Sequence, residues 1–167
     1  RAMAGDYSSN AQKRDLQIES QIHIEVQRKI SERLKENPAE TITNEDFLCW
    51  IHRKFYERLP ENLRWAKSET EEKVWVEAGK LRERLVKVGR HIPPVAESLN
   101  GFLSRFDAAY NPLTMHGLRP IVALSATHHR LMWIHPFLDG NGRVARLFTD
   151  AYFEKINFEG YGLWNVS

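Results

Sequence analysis

Between Ala11 and about Glu36, charged residues alternate with Leu16, Ile22 or His23, Val26, Ile30 and Leu34 at helical spacing, which predicts one long amphipathic helix over 11–36. Asn37 and Pro38 end it. Thr43 followed by Asp46 resembles a capping box, and Phe47, Leu48, Trp50, Ile51 and Phe55 form the stripe of a second helix stopping by Pro60. From Glu69 to Arg90 the periodicity wavers, but Leu85, Val86 and Val88 before Gly89 suggest an extended piece, one arm of a hairpin. Pro93 and Pro94 open a third helix carrying Leu99, Phe102, Leu103 and Phe106, closed by the Asn111-Pro112 turn. A fourth runs from Leu118 or Pro120 to Ile134, where Pro136 disfavours continuation, and a fifth follows Gly140 and Gly142. With no internal repeat and nearly every long segment helical, the fold class is all-α with a minor hairpin.

The length of 167 residues suits a single domain, 1–167. An apolar fraction of 42% with no long polar tract argues against disorder. Lys and Arg number 24 against 22 Asp and Glu, and both signs are interspersed, so no nucleic-acid surface is indicated. No apolar run approaches a membrane span, Arg1 to Asn10 has no signal-peptide core, and the single Cys49 beside Trp50 reads as a small core residue; a cytoplasmic location is expected.

Chemistry concentrates between the fourth and fifth helices, in His135-Pro136-Phe137-Leu138-Asp139-Gly140-Asn141-Gly142-Arg143-Val144-Ala145-Arg146. Gly140 and Gly142 allow close backbone approach and positive φ, and lead into a helix whose first N–H groups and dipole favour phosphate. Arg143 and Arg146, three apart, share a face of its first turn. Asp139 supplies a hard oxygen of the kind Mg2+ takes beside phosphates, and His135 carries an imidazole suited to base catalysis near neutral pH. Taken singly, each has a plainer reading: a helix cap, turn glycines, solvated arginines, a structural histidine.

Taken together, the segment resembles the signature of the Fic family, His-Pro-Phe-x-Asp-Gly-Asn-Gly-Arg-x-x-Arg, at all nine fixed positions. Val88-Gly89-Arg90-His91 with Pro93-Pro94, and His128-His129-Arg130 with Trp133-Ile134, resemble the surroundings bacterial members often have. The resemblance implies a Fic-type helical bundle with a small β-hairpin flap near Val86 to Arg90, pairing with a target backbone by strand addition. It implies protein adenylyltransfer: His135 takes the proton of a Tyr, Thr or Ser hydroxyl on a target protein, which attacks the α-phosphate of ATP. Asp139 would hold Mg2+ between α- and β-phosphates. The backbone of 140–142 and the Asn141 side chain would form an anion hole, and Arg143 and Arg146 would hold the outer phosphates, Arg146 the γ-phosphate. Transfer of phosphate or phosphocholine, removal of AMP, and a catalytically silent partner-binding module remain as alternatives.

Other classes fall away. No His-Glu-x-x-His pattern accompanies His128, His129 and His135, whose first two are expected to pack or cap the fourth helix. P-loop and nucleophile-elbow motifs are absent from the sequence. Many family members carry an inhibitory Ser/Thr-x-x-x-Glu-Gly/Asn helix whose glutamate pairs with the arginine matching Arg146. The nearest segments here, Thr41 to Glu45 before Asp46 and Ser68 to Glu72 before Lys73, lack the final Gly or Asn. That element is therefore expected outside the chain, on a missing N-terminal segment or an inhibitory partner protein. Family domains also continue past the motif helix, so a chain ending soon after Gly162-Leu163-Trp164 is expected to be a fragment.

Overall fold

A computed structural model describes residues 10–67 and 72–158 of the chain. The readings made above for residues 1–9, for Ser68 and for Gly162-Leu163-Trp164 lie outside these. Five helices follow in order: α1 (Ala11–Glu36), α2 (Glu45–Tyr56), α3 (Leu99–Tyr110), α4 (Arg119–Ile134) and α5 (Asn141–Lys155). Two three-residue strands, β1 (Trp65–Lys67) and β2 (Lys73–Trp75), pair antiparallel with Trp65 opposite Trp75. No helix among the described residues is long and apolar enough to cross a membrane.

α1 has the expected bounds, but burial begins only at Ile22; Leu16 is exposed. Ile22, Val26, Ile30 and Leu34 fill the predicted stripe. The α2 cap is Asn44, not Thr43: the Asn44 side chain accepts from the Phe47 N–H at 2.8 Å, while the buried Thr43 hydroxyl donates to Asp107 on α3. Cys49 is only partly buried, and burial, with Glu45 nearby, raises its thiol pKa to about 11.

The hairpin sits upstream of where it was expected. Its strands are 65–67 and 73–75, each too short for alternation to register, and the cross-strand contact of Trp65 and Trp75 rings at 5.1 Å helps hold it. The 85–88 stretch joins no strand; it leads into a tight turn bridged by Val88 and His91, with Gly89 at φ +61°.

α5 is the central element, packing against α1, α2 and α4. Nine of its residues are buried, including Leu147, Phe148 and Tyr152. Burying each large apolar side chain contributes on the order of 1.5–3 kcal/mol, which fixes the helix irrespective of its polar start. His128 on α4 bonds Thr149 on α5 at 3.0 Å. Both lie several residues from the intervening loop, so the helices run back along one another, and His128 does pack as expected. Gln27 on α1 donates to Asp150 at 2.6 Å, tying α1 along the other side. The consequence for function is that α5 presents a rigid N-terminus at the 135–140 loop.

Candidate active site

His135 ends α4 in the left-handed region, φ 51° and ψ 61°. Its Nδ1 lies 3.2 Å from the Met132 carbonyl. A carbonyl only accepts, so Nδ1 carries the proton and the neutral ring leaves Nε2 with a free lone pair. Burial lowers the pKa of His135 below 6.5, with the charges of Arg82 and His91 adding to the effect against the Met132 bond and Asp139. The unprotonated form therefore dominates at neutral pH.

The loop from Pro136 to Gly140 closes on itself through Asn141. The Asn141 side chain accepts from the Phe137 N–H at 2.9 Å and donates to the Phe137 carbonyl at 2.8 Å, and the residue is 3% exposed. Its amide braces the loop instead of facing outward into an anion hole. Gly140, at φ 78°, precedes α5, and no side chain caps that helix. The N–H groups of Asn141, Gly142 and Arg143 have no intrahelical acceptor, leaving donors and the positive end of the helix dipole at the loop. Of the two glycines, only Gly140 takes positive φ; Gly142 lies within the first turn of α5.

Asp139 is held from two sides. Its carboxylate accepts from the Tyr56 hydroxyl at 2.7 Å and from Arg143 at 3.3 Å. Burial alone would raise its pKa, but the Tyr56 bond, the Arg143 charge and the Gly140 N–H outweigh it and hold the carboxyl below the usual range. Burial and the Asp139 charge push the Tyr56 phenol far up, so it stays a donor. The Asp139 carbonyl is fixed by His52, which sits between Tyr56 and Phe137 with ring centroids 4.2 Å away on each face. The Gly79 N–H donates to His52 Nδ1 at 2.8 Å, so Nε2 bears the proton and donates to the Asp139 carbonyl at 3.2 Å. Burial lowers the His52 pKa to about 4, which keeps this relay intact at neutral pH.

The two arginines differ. Arg143 forms a fork on Glu19 of α1, at 2.6 and 3.2 Å, besides reaching Asp139 and the Tyr56 hydroxyl. Among the described residues no carboxylate pairs with Arg146, and its guanidinium lies 3.5 Å from where a Cβ on Gly142 would be. The sequence reading thus located the loop's own residues, and the structure brings them to one end of α5. It missed Glu19, His52, Tyr56 and Arg82, which reach this site from distant positions, and Gly79, which holds His52. Only His52 left a trace, as a polar residue inside the apolar stripe of α2.

A sequence profile of the Fic/DOC family matches residues 42–153, about two thirds of the chain and all of this site except Glu19. The chain belongs to the Fic/DOC family. Among curated relatives, a "Protein adenylyltransferase Fic" of Drosophila mojavensis is 35% identical over 83 residues, half of this chain and 16% of that protein. Another of the same name from Nematostella vectensis is 37% identical over 83 residues, 19% of its length. The chain therefore spans less than a fifth of the curated relatives it matches. A Fic-domain-containing signalling protein from Bacteroides thetaiotaomicron superposes with a TM-score of 0.67 at 21% identity, covering 93% of this chain and 54% of that one. A Fic family protein from Desulfovibrio desulfuricans gives 0.65 at 18%, covering 95% and 41%. At these identities the likeness speaks for the Fic fold: helices around a central motif helix, with a small antiparallel hairpin.

Proposed function

We propose that this Fic chain transfers AMP from ATP to a Tyr, Thr or Ser hydroxyl of a target protein. The observation that carries the reading is the convergence, at one end of α5, of a neutral imidazole whose Nε2 keeps its lone pair, an ionised carboxylate, open helix N–H groups and Arg146, with which no carboxylate among the described residues pairs. The His135 Nε2 accepts the hydroxyl proton as the oxygen bonds to the α-phosphorus. The bond from that phosphorus to the bridging oxygen breaks, and pyrophosphate leaves. Arg146 and the N–H groups of residues 141–143 hold the outer phosphates, so catalysis rests on positioning and charge stabilisation. Asn141 serves this through the loop it braces.

Asp139 suits magnesium as a single ionised carboxylate beside a phosphate site, since Mg2+ commonly takes one or two carboxylates with phosphate oxygens and water. Among the described residues no group of three or more potential ligands gathers, so a cation there would depend on the nucleotide's own oxygens. When bound, it would neutralise charge on the α- and β-phosphates.

Incubating the protein and a lysate with ATP labelled at the α- or the γ-phosphate tests the reading. Incorporation from the α-label with magnesium present is expected. Incorporation from the γ-label alone would make the chain a phosphotransferase, and none from either would refute transfer.

A further inference from the structure

Arg82 is 4% exposed, yet among the described residues no carboxylate lies within ion-pair distance of it. A buried guanidinium outside any ion pair is costly unless its donors are met; the charge of Glu97 acts on Arg82 from beyond pairing distance, and backbone carbonyls take four of its five N–H donors. Its Nε donates to the His135 carbonyl at 2.7 Å, one terminal nitrogen to Arg84 at 2.9 Å, and the other to Pro94 at 2.5 Å and Ile134 at 3.5 Å. Its own N–H donates to the Pro136 carbonyl at 2.9 Å. Nearby, His91 Nε2 lies 2.9 Å from the Trp133 carbonyl. The carbonyls of 133, 134, 135 and 136, at the negative end of α4, thus all receive donors from the 82–91 stretch.

This arrangement brackets one residue. His135 departs from helix into a left-handed conformation that costs a non-glycine residue on the order of 1–2 kcal/mol. Such a conformation persists only where its surroundings over-determine it. A lysine could supply the charge, but not three directions of donation from one rigid plane.

We propose that Arg82 is the positioning residue that sets the His135 imidazole, its guanidinium acting as a template that locks the carbonyls on both sides of the left-handed residue. This rests on the reading of His135 as the base. Arg82 touches neither ATP nor hydroxyl on that reading, so its removal lowers the rate of transfer without weakening nucleotide binding. Its outer edge also lines a cavity of about 490 Å³, shared with Glu45, Cys49, Leu81, Glu97 and Leu99. A guanidinium removed by mutation can therefore be replaced from solvent.

The test uses the full chain with Arg82→Ala and Arg82→Lys, and reads three quantities. Calorimetry gives ATP affinity, expected within threefold of wild type. The initial rate of self-labelling from α-labelled ATP is expected to fall at least tenfold in both variants. Millimolar methylguanidinium is expected to restore a large part of it in Arg82→Ala, and methylammonium is not. The third quantity is the His135 imidazole 1H–15N signals without nucleotide, expected to move in Arg82→Ala and return with methylguanidinium. Unchanged imidazole signals, an unchanged rate, or a parallel loss of ATP affinity would overturn the proposal. Should Arg82→Ala not fold, Arg82→Lys, which keeps the buried charge, carries the same readings. If wild type does not label at all while the signals still move, the base assignment fails and the positioning stands.

Discussion

Gly140→Ala tests whether the site geometry depends on one backbone position. Gly140 has φ 78°, and a Cβ there would lie 2.6 Å from Tyr56 Cε2 and 2.8 Å from its hydroxyl. Tyr56 cannot yield easily: it is fully buried, stacks on His52 and donates to Asp139. The left-handed conformation costs alanine about 1–2 kcal/mol and overpacking about 1–3, so the loss should be about 2–5 kcal/mol, a large share of ordinary domain stability. Gly142→Ala is the control. Its Cβ would meet only the Arg146 guanidinium, at an ordinary 3.5 Å, and an alanine inside the first turn of α5 should be neutral or stabilising by up to about 1 kcal/mol. Denaturant unfolding of the two variants and wild type gives the difference directly. A Gly140→Ala protein within about 0.5 kcal/mol of wild type would refute the packing argument, because it would mean that the buried Tyr56 gives way at no cost to its bond with Asp139.

His135→Ala is expected to abolish labelling while ATP affinity, read by calorimetry, stays near wild type, since the imidazole acts on the incoming hydroxyl. The same group must be neutral to act, and its pKa lies below 6.5, so activity should hold as pH falls through 6.5 and fail only lower; an acid limb above 6.5 in a pH–rate profile would contradict this. Arg146→Ala should weaken ATP binding about tenfold or more, as loss of a charge-assisted contact costs roughly 1.5–3 kcal/mol. Glu19→Gln should tighten ATP binding several-fold, because the carboxylate now gripping Arg143 competes with phosphate for the same donors; weaker binding would show that Glu19 instead orients Arg143 for the nucleotide.

What the sequence made legible divides by distance along the chain. The long helices were readable because burial of Ile22, Val26, Ile30 and Leu34, or of Phe47, Leu48, Ile51 and Phe55, imposes a period that survives any tertiary detail. The motif loop was readable because its chemistry is contiguous. The hairpin at 65–75 was not, since three residues per strand give no alternation to count and cross-strand Trp pairing is a tertiary fact. Thr43 looked like a cap by type, and only the helix phase showed that Asn44 holds the position. The Asn141 side chain was misdirected for a similar reason: the motif names the residue but not which way a bracing amide faces.

The groups that position the loop explain why the motif alone does not make the site. Asp139 is fixed through its side chain by Tyr56 and through its carbonyl by His52, which is itself placed by the Gly79 N–H. His135 is fixed through its carbonyl by Arg82. The props come from two stretches of chain, α2 and the 79–82 segment, and each meets a polar group that burial would otherwise leave costly. The charges around the cradle nearly cancel as well: Asp139 and Glu19 offset Arg143 and Arg146. A triphosphate approaching such a site gains little from net charge alone. On the proposed reading it would have to bring its own cation to Asp139 or displace Glu19 from Arg143, and either route makes binding depend on the geometry of this network more than on the general potential of the surface.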